Sequence, residues 1–283
     1  MIAFIGSVFS PYYAWACRGQ NAVATNHCAI NVALTGRNGH LWAMTERDEK
    51  SLARSPRELT VGPSRVSWNG QSLIADIDEV TAPIPRRLRG RISLHPAALT
   101  DTLVPLDLAR QHTWSPIAPV ARVEVALTEP ALSWKGFAYL DSNFGSAPLA
   151  TAFKHWSWSR TIEPDRTRVL YDVTGRRDAA TSLALEFDRH GHGTPIAVPP
   201  VATLQSTRWR VKRTTRADSA PQARVVETWE DGPFYARSLV ETRLGGAPVM
   251  AVHESLSLDR FSNPIVQAML PWRMPRRHHA PRG

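Results

Sequence analysis

Three segments near the end of the chain, RVVETWE (224–230), FYARSLVETRL (234–244) and APVMAVHESLSL (247–258), alternate apolar and polar residues and are separated by Asp231-Gly232 and Gly245-Gly246. Side chains of an extended chain point to opposite faces in turn, and Asp-Gly or Gly-Gly accepts the backbone angles of a tight hairpin turn. Three consecutive antiparallel strands are therefore expected. Upstream, TRVLYDV (167–173), TSLALEFD (181–188) and TRWRVKRTT (207–215) continue the pattern, with GHGTPIAVPPVATLQ (191–205) as a longer loop. Six strands in order, joined mostly by short turns, predict an up-and-down barrel of the calycin type.

The front half is also β-rich, with candidate strands in CAINVAL (28–34), HLWAMTE (40–46), RELTV (57–61), QSLIADIDEV (71–80), RISL (91–94), ARVEVALT (121–128) and ALSWKGFAYLD (131–141). Its connections are longer and richer in proline, which points to a sandwich or distorted barrel. At 283 residues the chain is long enough for one large domain or two small ones, each with a real core. A break near SAPLATAF (146–153) divides the chain into expected domains at 1–148 and 149–283, the second ending in a basic tail, RMPRRHHAPRG, expected to be mobile.

Lys and Arg number 34 against 25 Asp and Glu, a net charge of +9, which favours an anionic partner such as a lipid surface or nucleic acid. No nucleic-acid recognition module is visible, so nucleic acid is the weaker alternative. Two cysteines, Cys17 and Cys28, do not make a disulfide framework and read as reduced, buried thiols of a cytosolic protein, with a single bridge as the alternative. The apolar opening MIAFIGSVFSPYYAWA lacks a preceding Lys or Arg and is interrupted by Ser10 and Pro11. It is expected to be a buried or interfacial strand, neither signal peptide nor membrane span.

Several chemistries lack their signatures: there is no G-x-S-x-G elbow, no phosphate-binding loop and no H-E-x-x-H. His190 and His192 have no third metal ligand nearby and read as a loop pair. The stretch GFAYLDSNFG (136–145) sets an aspartate directly after an apolar and aromatic run. Asp141 reads as a turn residue or as a catalytic acid, with Ser142 to Gly145 ending the strand. A calcium loop is excluded, because its twelfth residue would be Ala152 rather than Glu. In a strand, residues i and i+2 share a face, so Tyr139 and Asp141 point together, as do His112 and Trp114 in QHTW if that segment is extended. A core tryptophan, a capped aspartate and an ordinary tyrosine explain the same set.

The opening MIAFIGSVFSPYYAW, NHCAINVALTG (26–36), WAMTER (42–47), IDEVTAPIPRRLRGRISLHP (77–96), QHTW (111–114), GFAYLDSNFG and FKHWSWSR (153–160), taken in order over nearly the whole chain, resemble the carotenoid 1,2-hydratase family, also called hydroxyneurosporene synthase. The resemblance implies two lipocalin-like β domains, no cofactor and no metal, and the addition of water to the terminal double bond of acyclic carotenoids such as neurosporene and lycopene. The family's functional His, Trp, Tyr and Asp correspond to His112, Trp114, Tyr139 and Asp141. In that role Asp141 is the general acid and Trp114 with Tyr139 stabilises a cation. His112, or Tyr139 acting with Asp141, relays the proton of the attacking water.

A membrane-borne substrate implies a cytoplasmic, peripherally attached enzyme, with PRRLRGR (85–91), RWRVKR (208–213) and the tail as candidate contacts with anionic headgroups; solvated strand faces explain the first two as well. Oligomeric state is not legible. Glu46, Asp76, Asp78 and Glu79 are expected on a solvated face or barrel rim. His27 and Asn31 read equally as pocket lining or satisfied core, and Trp156 and Trp158 as a domain interface or substrate lining. Two rival functions share these barrels: a non-catalytic lipocalin-like carrier of a hydrophobic ligand, and a related polyene cyclase or pericyclase.

Overall fold

The computed structural model describes residues 1–19, 22–36, 39–177, 180–218 and 223–277. The last six residues of the basic tail lie outside them. Strands dominate, and the fold class is all-β, as expected, with open sheets rather than closed barrels. The chain divides into two compact units: Met1–His95, Val123–Gly136 and the segment from Pro264 form one, Pro96–Arg122 and Phe137–Asn263 the other. This differs from a single cut at 148. The long strands His112–Glu129 and Ala131–Gly145 contribute residues to both units, so His112, Trp114, Tyr139 and Asp141 fall together in the second.

In the first unit, Ile2–Ile5, Cys28–Gly36, Glu46–Arg47 and Arg276–Arg277 lie side by side, with Gly39–Met44 paired to Cys28–Gly36. Leu52–Ser55 through Arg87–Pro96 form an antiparallel meander of five strands. The opening is a strand only at Ile2–Ile5. Pro11–Arg18 is a helix, because Ser10 accepts a hydrogen bond from the Tyr13 amide (3.0 Å) and Pro11 occupies the first turn, where its missing N–H costs nothing.

Glu46 and Glu79 are buried, not solvated as expected. Arg47 and the Ser64 hydroxyl donate to Glu79 (2.8 and 2.6 Å), while Glu46 meets His27 (2.8 Å) and Arg276, since a buried carboxylate survives only with partners. Asp76 and Asp78 do face outward, each clasped by two bonds from Arg91 and Arg87. Cys17 and Cys28 are free thiols.

The second unit is built on a seven-stranded sheet in the order Gly193–Pro195, Thr181–Asp188, Arg166–Gly175, Phe153–Thr161, Ala247–Ser257, Tyr235–Leu244, Arg224–Asp231. The Gly245-Gly246 hairpin turns as expected, with φ of +64° and +77° at its two glycines. The expected meander of six sequential strands is not what forms. Phe153–Thr161 takes the centre, pairing with Arg166–Gly175 on one side and with Ala247–Ser257 on the other, and 207–215 is strand only from Arg213. Arg213–Arg216 pairs with Val201–Leu204 as a separate ribbon.

That ribbon covers one face of the sheet. Ala202 and Leu204 pack with Val240, and both the Ser157 hydroxyl and His253 Nε2 donate to the Thr214 carbonyl (2.7 and 2.9 Å). By strand parity the opposite face carries Trp156, Trp158, Arg160, Tyr171 and Phe187, with Trp158 opposite Tyr171 and Glu254 in the register.

Candidate active site

The strand Ala131–Gly145 runs four residues past Asp141 rather than turning there, so Tyr139, Asp141 and Asn143 share one face. Gly145 is needed at its end. A Cβ there would lie 2.4 Å from the Gln111 carbonyl oxygen and 2.9 Å from the His112 ring, closer than non-bonded atoms tolerate. The QHTW segment is extended, as expected, and starts the strand His112–Glu129.

Trp114 and Tyr139 converge on one carboxyl. The Trp114 indole N–H donates to Asp141 Oδ2 at 2.9 Å and the Tyr139 hydroxyl to the same oxygen at 3.0 Å. No hydrogen bond among the described residues reaches Asp141 Oδ1. Trp114 is fully buried, its ring 5.6 Å from that of Tyr171 and 6.5 Å from that of Phe187. Tyr139 lies 5.5 Å from Trp158, and Tyr171 donates its hydroxyl to Asn143 Oδ1 (2.9 Å). The carboxyl is therefore held by two aromatic side chains that themselves pack on Tyr171, Phe187 and Trp158, while Asp141 as a residue stays partly exposed.

Burial disfavours the charged form of the acid and pushes Asp141 up to about 6, although the bonds from Trp114 and Tyr139 favour the carboxylate. Glu254 adds to the upward push and Arg160 opposes it. The Arg160 guanidinium stands 5.3 Å over the Tyr139 ring, and Arg237 neutralises Glu254 from 2.8 Å. Burial also holds Tyr139 well above the ordinary phenol range, reinforced by Asp141, so Tyr139 is a donor and not a base.

His112 is not joined to this carboxyl. Its Nε2 donates to the Ala147 carbonyl (2.9 Å), its Nδ1 bonds Asp107 Oδ2 (2.8 Å), and its ring packs on Phe153 at 5.0 Å. Both nitrogens are committed to the loops flanking the two strands. The structure thus brings together three of the four expected residues and sets the fourth at the base of the hairpin, against Gly145.

Tyr171, Phe187 and Arg160, which have no counterpart among the sequence expectations for the site, complete the surroundings together with Trp158, read from the sequence as a domain interface or substrate lining. Strand parity in FKHWSWSR already sets Trp156, Trp158 and Arg160 on one face; what was missing was the partner strand. His190 and His192 form a loop pair as expected, their amides donating to Asp188 Oδ1. His27 and Asn31 are satisfied polar groups of the first unit, Asn31 donating to the Ala43 carbonyl (3.0 Å).

A carboxyl whose pKa is raised toward neutrality, with an indole and a phenol both donating to one of its oxygens, can serve as a proton donor next to aromatic surfaces. The chain belongs to the carotenoid hydratase family: the profile described as "Carotenoid hydratase CrtC" matches residues 1–282. It is 55% identical to the acyclic carotenoid 1,2-hydratase of Thiocapsa roseopersicina over 98% of this chain and 68% of that one. Identity to the acyclic carotenoid 1,2-hydratase of Cereibacter sphaeroides is 42%, over 98% of both chains. Among solved structures, a protein of Nitrosomonas europaea assigned as AttH shares the fold at a TM-score of 0.56 and 15% identity, over 82% of this chain and 81% of its own.

Proposed function

We infer that the protein is an acyclic carotenoid 1,2-hydratase that adds water across the terminal C1=C2 bond, with neurosporene and lycopene as substrates. The observation that carries the mechanism is the Asp141 carboxyl held by Trp114 and Tyr139 among aromatic rings. An isolated alkene is a very weak base, so the first step needs a strong, desolvated proton donor. Asp141 protonates C2, and the electron pair of the double bond becomes the new C–H bond, leaving a tertiary cation at C1. Aromatic faces stabilise such a cation by about 2 kcal/mol or more where water is mostly excluded, and that role falls to Trp114 with Tyr139, the two aromatic side chains bonded to the carboxyl. Water then bonds to C1 and gives one proton to the Asp141 carboxylate, which restores the acid. The net reaction moves no electrons between substrates, so it calls for no redox cofactor.

This route returns the proton to Asp141, with Tyr139 only as its hydrogen-bond donor, and leaves His112 as the residue that fixes the hairpin base. Incubation with lycopene or neurosporene in lipid, without added cofactor, should yield a product heavier by one water and, in deuterated water, labelled at C2. Binding without turnover would indicate a carrier, and an isomer of unchanged mass a cyclase; either outcome overturns the reading.

The substrate is a hydrocarbon resident in bilayers, and no helix among the described residues is long and apolar enough to cross a membrane. We therefore propose peripheral contact with an anionic membrane surface, from the cytoplasmic side.

A further inference from the structure

The first unit ends in a short helix, Pro264–Met269, continued by the turn Leu270–Trp272, and this segment has two apolar faces rather than one. Its inward face carries Gln267, Leu270 and Met274, all buried, with Gln267 Oε1 accepting from Trp15 Nε1 (3.0 Å) and Arg18 Nη2 (2.7 Å). Its outward face carries Ile265, Met269 and Trp272, at the i, i+4, i+7 spacing of one helical stripe, and these are 73%, 41% and 77% exposed. A surface helix of a water-soluble protein turns polar side chains outward. Here the outward positions are Ile265, Ala268, Met269 and Trp272. Trp15, bonded to Gln267, adds a second exposed indole beside the stripe.

Charge specifies what would cover such a face. From Arg260 to Gly283 the sequence holds five arginines, two histidines and no Asp or Glu. Arg18, which bonds Gln267, and Arg273 and Arg277, which follow the stripe along the chain, are exposed. In the other basic segments Arg87 and Arg91 of PRRLRGR are matched by Asp78 and Asp76, and RWRVKR buries Arg213 and exposes Arg208, Arg210 and Lys212 with a single apolar side chain, Trp209, rather than a stripe. An apolar stripe with exposed tryptophan, edged by cations, is the composition of a helix lying in the headgroup boundary of an anionic bilayer.

We propose that Ile265, Met269 and Trp272 insert into the headgroup region of an anionic membrane, with the surrounding arginines against its phosphates, and that this surface holds the protein where its substrate is dissolved. The inference rests on the membrane contact proposed above and narrows it to one face.

The test is flotation of the full chain with vesicles of phosphatidylcholine alone and of phosphatidylcholine with phosphatidylglycerol. The wild type should float with both and more strongly with the anionic vesicles, with salt erasing the difference. Ile265→Gln/Trp272→Gln, at two exposed positions, should weaken binding to both by about tenfold or more. Arg277→Gln should weaken binding about fivefold on anionic vesicles only. The double variant should keep wild-type activity on carotenoid in detergent and lose it on carotenoid supplied in vesicles. Wild-type flotation by the double variant would overturn the inference while leaving membrane contact standing. Equal loss of activity in detergent would assign the stripe a structural role, and a dimer that the variant abolishes without changing flotation would assign it to self-association; both overturn the proposal. A wild type that binds no vesicle sinks the membrane contact itself.

Discussion

Replacing Asp141 by Asn separates the acid's role in the reaction from its effect on stability. The carboxyl titrates near 4 in an unfolded chain and is pushed up to about 6 in the fold, chiefly by burial. A group whose pKa rises on folding is fully favourable below its unfolded value and loses that contribution as pH climbs to the folded one. Above about pH 6 the charged, poorly solvated carboxylate therefore costs up to about 3 kcal/mol, from a shift of roughly two units at about 1.4 kcal/mol each. Asn is nearly isosteric, and its single carbonyl oxygen can accept both the Trp114 and the Tyr139 hydrogen bonds. Urea unfolding of both proteins near pH 4 and near pH 8 should show the difference moving in favour of Asp141→Asn by up to about 3 kcal/mol across that interval. The variant should be inactive throughout, while wild-type kcat/KM should fall about tenfold per pH unit above the midpoint, as the protonated fraction does. A stability difference that does not change with pH, or a variant that hydrates, would refute the assignment.

Three further expectations follow from neighbouring contacts. Glu254→Gln removes a negative charge that helps keep Asp141 protonated, so the alkaline fall of the pH–rate profile should move to lower pH; a shift upward or none at all contradicts the electrostatics. Gly145→Ala drives a methyl group onto the Gln111 carbonyl and the His112 ring and should cost about 1–3 kcal/mol in thermal or urea unfolding, with loss of activity in proportion to the displaced hairpin base. Arg47→Met leaves Glu79 buried with only Ser64 as partner, for an expected loss of about 3–5 kcal/mol by urea unfolding, recovered in part by adding Glu79→Gln.

What could be read in the sequence was whatever depends on near neighbours. The i, i+2 pairing of Tyr139 with Asp141, the extension of QHTW and the Gly245-Gly246 turn follow from local backbone geometry, and each stands in the structure. The Pro11–Arg18 helix was missed although Ser10-Pro11 is a cap signal, because the apolar run around it suggested a strand. The burial of Glu46 and Glu79 was missed because the arginines that permit it lie elsewhere: Arg47 is 32 positions from Glu79, and Arg276 is 230 from Glu46. Likewise Tyr171 and Trp158 reach the site through the placement of Phe153–Thr161 at the centre of the sheet beside Ala247–Ser257, a pairing of distant segments that no local pattern encodes. For the site, the Tyr139–Asp141 pair was legible from strand parity, Trp114 entered through the family resemblance, Trp158 was read as a domain interface or substrate lining, and Tyr171 and Phe187 were not foreseen.

Both donors to Asp141 land on Oδ2 and leave Oδ1 without a hydrogen bond. The two oxygens of one carboxyl are thereby made unequal before any substrate arrives. The dissociable hydrogen belongs on Oδ1, and when it departs the negative charge collects on Oδ2, where an indole and a phenol already wait. Neither donor would have to surrender its own hydrogen in the proposed reaction, so Trp114 and Tyr139 are expected to be spectators to the isotope that ends up in the product. In the proposed reaction the acid would discharge and reload through the same atom, a one-handed proton carrier.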